Sequence, residues 1–166
     1  MKIQVTCLLL LLGVAALRAA TVSATCNATT GSAEFAPPGS SSFSPLHKGQ
    51  VLPIGSTVRT GDDGTAILTT TPGSAIDIGN DSVIKINELA FTKTNGSITE
   101  RKARLDLTSG AVSAMIDPST PTITDFKIQT PQGVASARGT FYAVTVVHGK
   151  TFVSVDHGKV GVLADQ

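Results

Sequence analysis

Phe141-Tyr142-Ala143-Val144-Thr145-Val146-Val147, Thr151-Phe152-Val153-Ser154-Val155 and Lys159-Val160-Gly161-Val162-Leu163 are three short apolar runs, separated by His148-Gly149-Lys150 and Asp156-His157-Gly158. β-Branched and aromatic residues lose rotamer freedom in a helix and pack well on a pleated sheet. Each break carries a glycine, which readily takes the positive φ of a tight hairpin turn. The spacing predicts three strands in an antiparallel meander, with Phe141 contributing an aromatic to the core.

Working back toward the N-terminus, the same period-two pattern recurs from Leu46 onward. Ser74-Ala75-Ile76-Asp77-Ile78 stops at Gly79-Asn80-Asp81-Ser82, and Val83-Ile84-Lys85-Ile86-Asn87 sets Ile84 and Ile86 on one face. Arg104-Leu105-Asp106-Leu107 leads into Thr108-Ser109-Gly110, read as a turn, before Ala111-Val112-Ser113-Ala114-Met115-Ile116. Phe126-Lys127-Ile128-Gln129-Thr130 ends at Pro131-Gln132-Gly133, which echoes Thr71-Pro72-Gly73-Ser74. A second echo links Leu107 to Val112 with Val155 to Val160. Repeated strand–turn–strand units suit stacked hairpins. The expected fold is all-β: short antiparallel strands and hairpins stacked as a twisted sandwich or a solenoid-like array.

A chain of 166 residues has room for one domain. With aromatics at 4% and no Trp, its core rests on Val, Ile, Leu and Ala. Residues 25–45 form a Ser/Gly/Pro-rich segment that reads as a linker by composition. Within it, Gly31-Ser32-Ala33-Glu34-Phe35-Ala36 is left open as an edge strand; residues 46–166 form the β domain.

Residues 1–24 read as a secretory signal peptide: Lys2, then an apolar run through Leu17 that is shorter than a spanning helix, then small residues. Cleavage is expected after Ala24, with a second candidate after Ala19. The competing reading, an uncleaved anchor, is disfavoured by the short run and by Arg18. Removal of residues 1–24 leaves eleven basic and twelve acidic residues, a net charge of −1. Such a balance gives no electrostatic footprint for nucleic acid. Cys7 leaves with the leader, so Cys26 has no partner for an internal disulfide. Ser23-Ala24-Thr25-Cys26 is a poor match to a lipoprotein site. Membrane attachment is therefore expected only if the leader is retained or Cys26 is lipidated.

The ordered set of motifs resembles the FecR domain family. It begins with Lys48-Gly49-Gln50-Val51-Leu52-Pro53-Ile54-Gly55-Ser56-Thr57-Val58-Arg59-Thr60-Gly61, followed by Asp62-Asp63-Gly64-Thr65-Ala66. Pro72-Gly73-Ser74, Asp81-Ser82-Val83-Ile84 and Leu105-Asp106-Leu107-Thr108-Ser109-Gly110 come next. Phe126 to Pro131 and then Ala137-Arg138-Gly139-Thr140-Phe141-Tyr142-Ala143-Val144 form the most specific piece; Gly158-Lys159-Val160 closes the series. The resemblance covers Leu46 to Gln166 and implies a bacterial envelope protein facing the periplasm, or secreted. Its best-known members are membrane-bound regulators that relay a signal from an outer-membrane transporter to a sigma factor. Here no cytoplasmic segment is expected before the leader and no receptor-contacting module after Gln166, so direct control of transcription is not expected.

Candidate sites each meet a plainer reading. His47, His148 and His157 suggest a metal, but His-Gly at a turn is explained by backbone geometry. Asp62-Asp63-Gly64 and Asn80-Asp81-Ser82 lack the alternating carboxylates and closing Glu of a calcium loop. Asp77, Asp106, Asp117 and Asp125 would have to pair for glycoside hydrolysis, and no nucleophile–base motif is present. Arg101-Lys102-Ala103-Arg104 reads as a solvated turn, with an anionic glycan or lipid headgroup as its sharper reading. Asn27, Asn80 and Asn95 begin N-glycosylation patterns that are chance matches in a bacterial protein. Gly139-Thr140-Phe141 stands out as architecture. No catalytic, metal or cofactor residues are assigned. The expected function is non-enzymatic binding or sensing, with an envelope protein such as a transporter or membrane regulator as partner. The alternative is a structural protein that binds cell-wall polymer or self-assembles.

Overall fold

The computed structural model describes residues 22–164, so most of the segment read as a leader lies outside the described residues. The strands are β1 (Ser23–Thr30), β2 (Ala33–Ala36), β3 (Ser44–Pro45), β4 (Val51–Pro53), β5 (Thr57–Thr60), β6 (Thr65–Thr71) and β7 (Ser74–Ile78). They continue with β8 (Val83–Thr94), β9 (Ser97–Ile116), β10 (Thr124–Thr130), β11 (Gly133–Ala137), β12 (Phe141–Val147), β13 (Lys150–His157) and β14 (Val160–Ala164). A 3-10 turn at Pro121–Ile123 is the one helical element among the described residues. The all-β expectation holds.

The strands build one strongly curled, mainly antiparallel sheet, a half-barrel. Two wings share β9. The first runs β4-β1-β6-β7-β9-β12-β13, and the second β3-β2-β5-β8-β9-β10-β11-β14. Alternating side chains from both wings meet in one core, where Leu68, Ile76, Val112 and Tyr142 of the first join Ile84, Leu105, Phe126 and Ile128 of the second.

β9 explains how one strand serves two wings. Arg101, Ala103, Leu105 and Leu107 are buried in its first half, but Val112, Ala114 and Ile116 in its second, so the inward set changes parity. A one-residue register shift opposite Val83–Ile84 and a positive φ of 84° at Gly110 absorb the change. Thr108-Ser109-Gly110 is thus a bulge inside a strand of 20 residues, not the turn its composition suggested.

Other departures follow from pairing at a distance. β1 lies between β4 and β6, with Ala24 and Cys26 buried, so the segment read as linker opens with an inner strand. β2 pairs with both β3 and β5, so Ala33–Ala36 is not at an edge. β10 runs parallel to β9, an exception to antiparallel pairing reached through the crossover at residues 117–123. β12 and β13 form the expected hairpin, but β14 pairs with β11 instead of completing a meander. Phe141 is 42% exposed, and the core aromatic is its neighbour Tyr142 at 0%. Thr71-Pro72-Gly73-Ser74 and Thr130-Pro131-Gln132-Gly133 do form matching two-residue turns. The second sequence echo joins a strand interior to a connection and has no structural counterpart.

Candidate binding surfaces

The two wings end in four terminal strands, and these edges differ. β3 and β4 are two and three residues long and end in Pro45 and Pro53. A proline offers no N–H, so short proline-bearing edges resist further pairing. β13 has eight residues and β14 five, neither contains proline, and each is paired on one side only. Phe152 of β13 and Val162 and Leu163 of β14 are exposed, Leu163 at 74%. Between these two edges lies a cleft of about 450 Å³, with Thr151 and Val153 on one side and Val162 and Ala164 on the other. At one end, Gln132 Oε1 accepts a hydrogen bond from the Thr151 N–H at 2.7 Å. That N–H therefore faces away from β12, and by strand alternation the Val153 N–H does too.

A second surface crosses the end of the first wing. Thr69, Ala75, Met115, Phe141 and His157 stand opposite one another across β6, β7, β9, β12 and β13. They border a groove of about 610 Å³, closed on its other side by the Gly73–Ser74 turn, Ile116–Pro118 and Gly139–Thr140. Gly139 has φ +70°, and a Cβ there would come within 2.9 Å of Pro118 Cα, so the two loops sit at backbone contact. Ser74 is 4% exposed and Thr140 3%. Neither hydroxyl has a hydrogen-bond partner. Hydrogen bonds from the Ser119 hydroxyl and N–H, with a smaller contribution from the Arg101 charge, hold the Asp117 carboxyl below the usual range. His157 Nδ1 lies 2.6 Å from Asp156 Oδ2 at the groove's far end.

Arg101 packs beneath this turn rather than in a solvated one. It is 3% exposed; Nη1 donates to Pro72 O at 2.8 Å and Nη2 to Thr120 Oγ1. Lys102 pairs with Glu100 at 2.8 Å and Arg104 with Glu88 at 2.9 Å, so the basic run is divided among separate partners along β9.

The remaining sequence candidates are scattered. His148 lies in the turn before β13 and His157 is the strand's last residue, so about 25 Å of strand separates them. Asp77 lies on the first wing and Asp106 on the second, while Asp125 pairs with Lys127 at 3.1 Å. Asp63 Oδ1 accepts from the Ser32 N–H at 3.0 Å, and Asn80 Nδ2 donates to Asp62 O at 3.2 Å. The first bond ties the Asp62–Gly64 loop to the β1–β2 turn, and the second ties the two loops to each other. Asn27 Nδ2 donates to Thr69 Oγ1, and Asn95-Gly96 is the tip of the β8–β9 hairpin with φ of 52° and 81°. Cys26 Sγ is buried and directed to Ala28 O at 3.5 Å, so lipid on that sulfur would require β1 to leave the sheet. Among the described residues no helix is long and apolar enough to cross a membrane.

Sequence reasoning singled out Gly139-Thr140-Phe141 but not Ser74, Met115 or the open edge of β13. Edge status depends on which strands meet, and that is not written in any local pattern.

No curated protein and no solved structure matches the chain. The family model described as FecR protein matches residues 56–161, from the start of the β4–β5 connection's last residue through β14's second, and so spans β5 to β13, including β9, the groove loops and the open β13 edge. The chain therefore belongs to the FecR family.

Proposed function

We propose that this chain is a non-enzymatic, exported FecR-domain protein of the bacterial cell envelope that binds a protein partner by strand addition. The partner's strand joins the open edge of β13 or β14. The observation that supports this reading is the contrast between edges: two are short and end in proline, while two are longer, proline-free and flanked by exposed apolar side chains. Main-chain hydrogen bonds supply affinity in this mode, and alternate side chains supply specificity. Family membership favours the envelope as the setting, with a transporter or a membrane regulator as the expected class of partner.

Val153→Pro is the test. It removes an N–H directed to the open edge while leaving the β12 ladder its bonds. Crosslinked capture from native envelopes should recover one discrete protein with the wild type, and at least tenfold less with Val153→Pro of matched stability. Equal recovery by both proteins would overturn strand addition at β13. Retention on purified peptidoglycan with no protein recovered would favour the structural alternative.

A further inference from the structure

The open edges of β13 and β14 line opposite sides of one cleft, and that cleft is bounded at both ends. Gly158-Lys159 joins the two strands at one end, and Gln132 bridges to Thr151 at the other. We infer, resting on the strand-addition reading above, that β13 and β14 are the two lips of a single site. It takes one extended polypeptide segment between them, paired to both.

The hairpin turns fix which main-chain groups face this seam. Val147 and Lys150 flank the two-residue turn between β12 and β13, and the pair at such a turn exchanges its N–H and C=O. Val153 therefore directs both of its groups away from β12. Thr130 and Gly133 flank the β10–β11 turn in the same way, so Gly133 and Ala135 bond to β10. β11 then holds β14 through Val134–Leu163 and Ser136–Gly161, which leaves the N–H and C=O of Val162 facing away from β11. β13 runs toward the link and β14 away from it, so an inserted strand is parallel to one lip and antiparallel to the other.

The spacing admits one strand. β13 ends at His157 and β14 begins at Val160, and three steps of extended chain reach about 10 Å. Two strand spacings come to about 9.5 Å, the separation of strands with one more between them. A two-residue link would ordinarily close a hairpin, yet β13 and β14 do not pair.

The side chains define the guest. Val153 and Val155 stand opposite buried residues of β12, and Val160 and Val162 opposite buried residues of β11, so all four belong to the inner face of the sheet. Val155 and Val162 are nevertheless exposed, as inner-face residues beside an unfilled seam are. A guest strand that turns an apolar side chain inward at every second position covers them and extends the core, as in donor-strand complementation. An acyl chain would cover the valines but leave the edge N–H groups without acceptors. Gln132 Oε1, 2.7 Å from the Thr151 N, already seats an amide oxygen where a guest carbonyl would lie. A second copy of the chain does not fit either: each described strand is paired on at least one side, and a seam strand needs both sides free. The edge strand of any folded sheet fails for the same reason. The guest is therefore a linker or tail of the partner, unpaired before it binds, with apolar residues at alternate positions and no proline along the five residues of β14.

Random dodecapeptides displayed on phage are selected on the purified protein, and the best is synthesised for titration and for amide exchange by NMR. Selected peptides should share apolar residues at every second position and bind one per chain. Binding should slow exchange of the Val153 and Val162 amides together, each by at least tenfold. Val153→Pro and Val162→Pro should each weaken binding at least tenfold. Val162→Asp, at an exposed position, should do the same without removing an N–H.

Slowed exchange on one lip alone would overturn the seam and leave addition to that edge standing. Slowed exchange on both lips, with envelope capture undiminished in Val153→Pro, would support the seam and fault only the reading of the native partner. Failure to enrich an alternating peptide would overturn the proposal. So would decanoate, or a concentration-dependent dimer, that slows both amides in place of a peptide.

Discussion

Tyr142 shows how finely a side chain's place is set. Tyr142, Val144 and Val146 are uniformly apolar and buried, whereas the alternate set from Phe141 includes Ala143 and Thr145. The inward face was therefore legible in the composition of the two sets, but an aromatic at Phe141 drew the reading one residue out of phase. The Tyr142 hydroxyl is buried without a partner, so Tyr142→Phe removes an unsatisfied group at constant shape. It should raise stability by about 1 kcal/mol, read as an upward shift of the thermal midpoint. Burial also pushes the Tyr142 phenol above its ordinary value of 10.0, and the Cys26 thiol above 9.0. Both groups hold their protons longer folded than unfolded. Their contribution to stability is complete below about pH 9 and declines as pH rises through 9 and 10 toward the raised folded values. Denaturant titrations at pH 7 and pH 11 should show a smaller loss for Tyr142→Phe than for the wild type; equal losses would remove Tyr142 from the account.

At the scale of elements, β9 carries the architecture through one glycine. A Cβ at Gly110 would lie 2.4 Å from Ser82 Cα, and φ is +84°. Gly96 has a similar φ of +81° but open space around it. Gly96→Ala therefore meets backbone strain alone and should cost about 1 kcal/mol. Gly110→Ala adds a steric clash and should cost at least about 3 kcal/mol, measured by chemical denaturation. Equal costs would mean that the bulge yields easily. The individual strands of β8 to β12 were legible because they alternate. That two of them are one strand was not, because Thr108-Ser109-Gly110 has turn composition and only the packing of two wings reveals a bulge. The pairing of β14 with β11 was hidden for the same reason: adjacency in sequence favours a meander, and closure of the second wing overrides it.

At the scale of the whole molecule, the folded unit begins earlier than composition suggested. Ser23 and Ala24 pair with Pro53 and Leu52, and Ala24 is buried. Leader cleavage after Ala24 would remove both, while cleavage after Ala19 leaves β1 whole. If the leader is removed on export as proposed, the intact mass of the product should correspond to a chain starting at Ala20; a start at Thr25 would show that the fold forms without the first residues of β1. The groove loops and open edges belong to this scale as well, since each is made by strands far apart in sequence, which is why no motif announced them. Their claim to function rests on the difference between open and blocked edges. A photo-crosslinking residue at Ser154, on β13, and another at Ser44, on β3, compare the two in living source cells. Strand addition at the open edge requires a discrete protein adduct from position 154 and none from position 44; adducts from both positions alike, or from 44 alone, would contradict it.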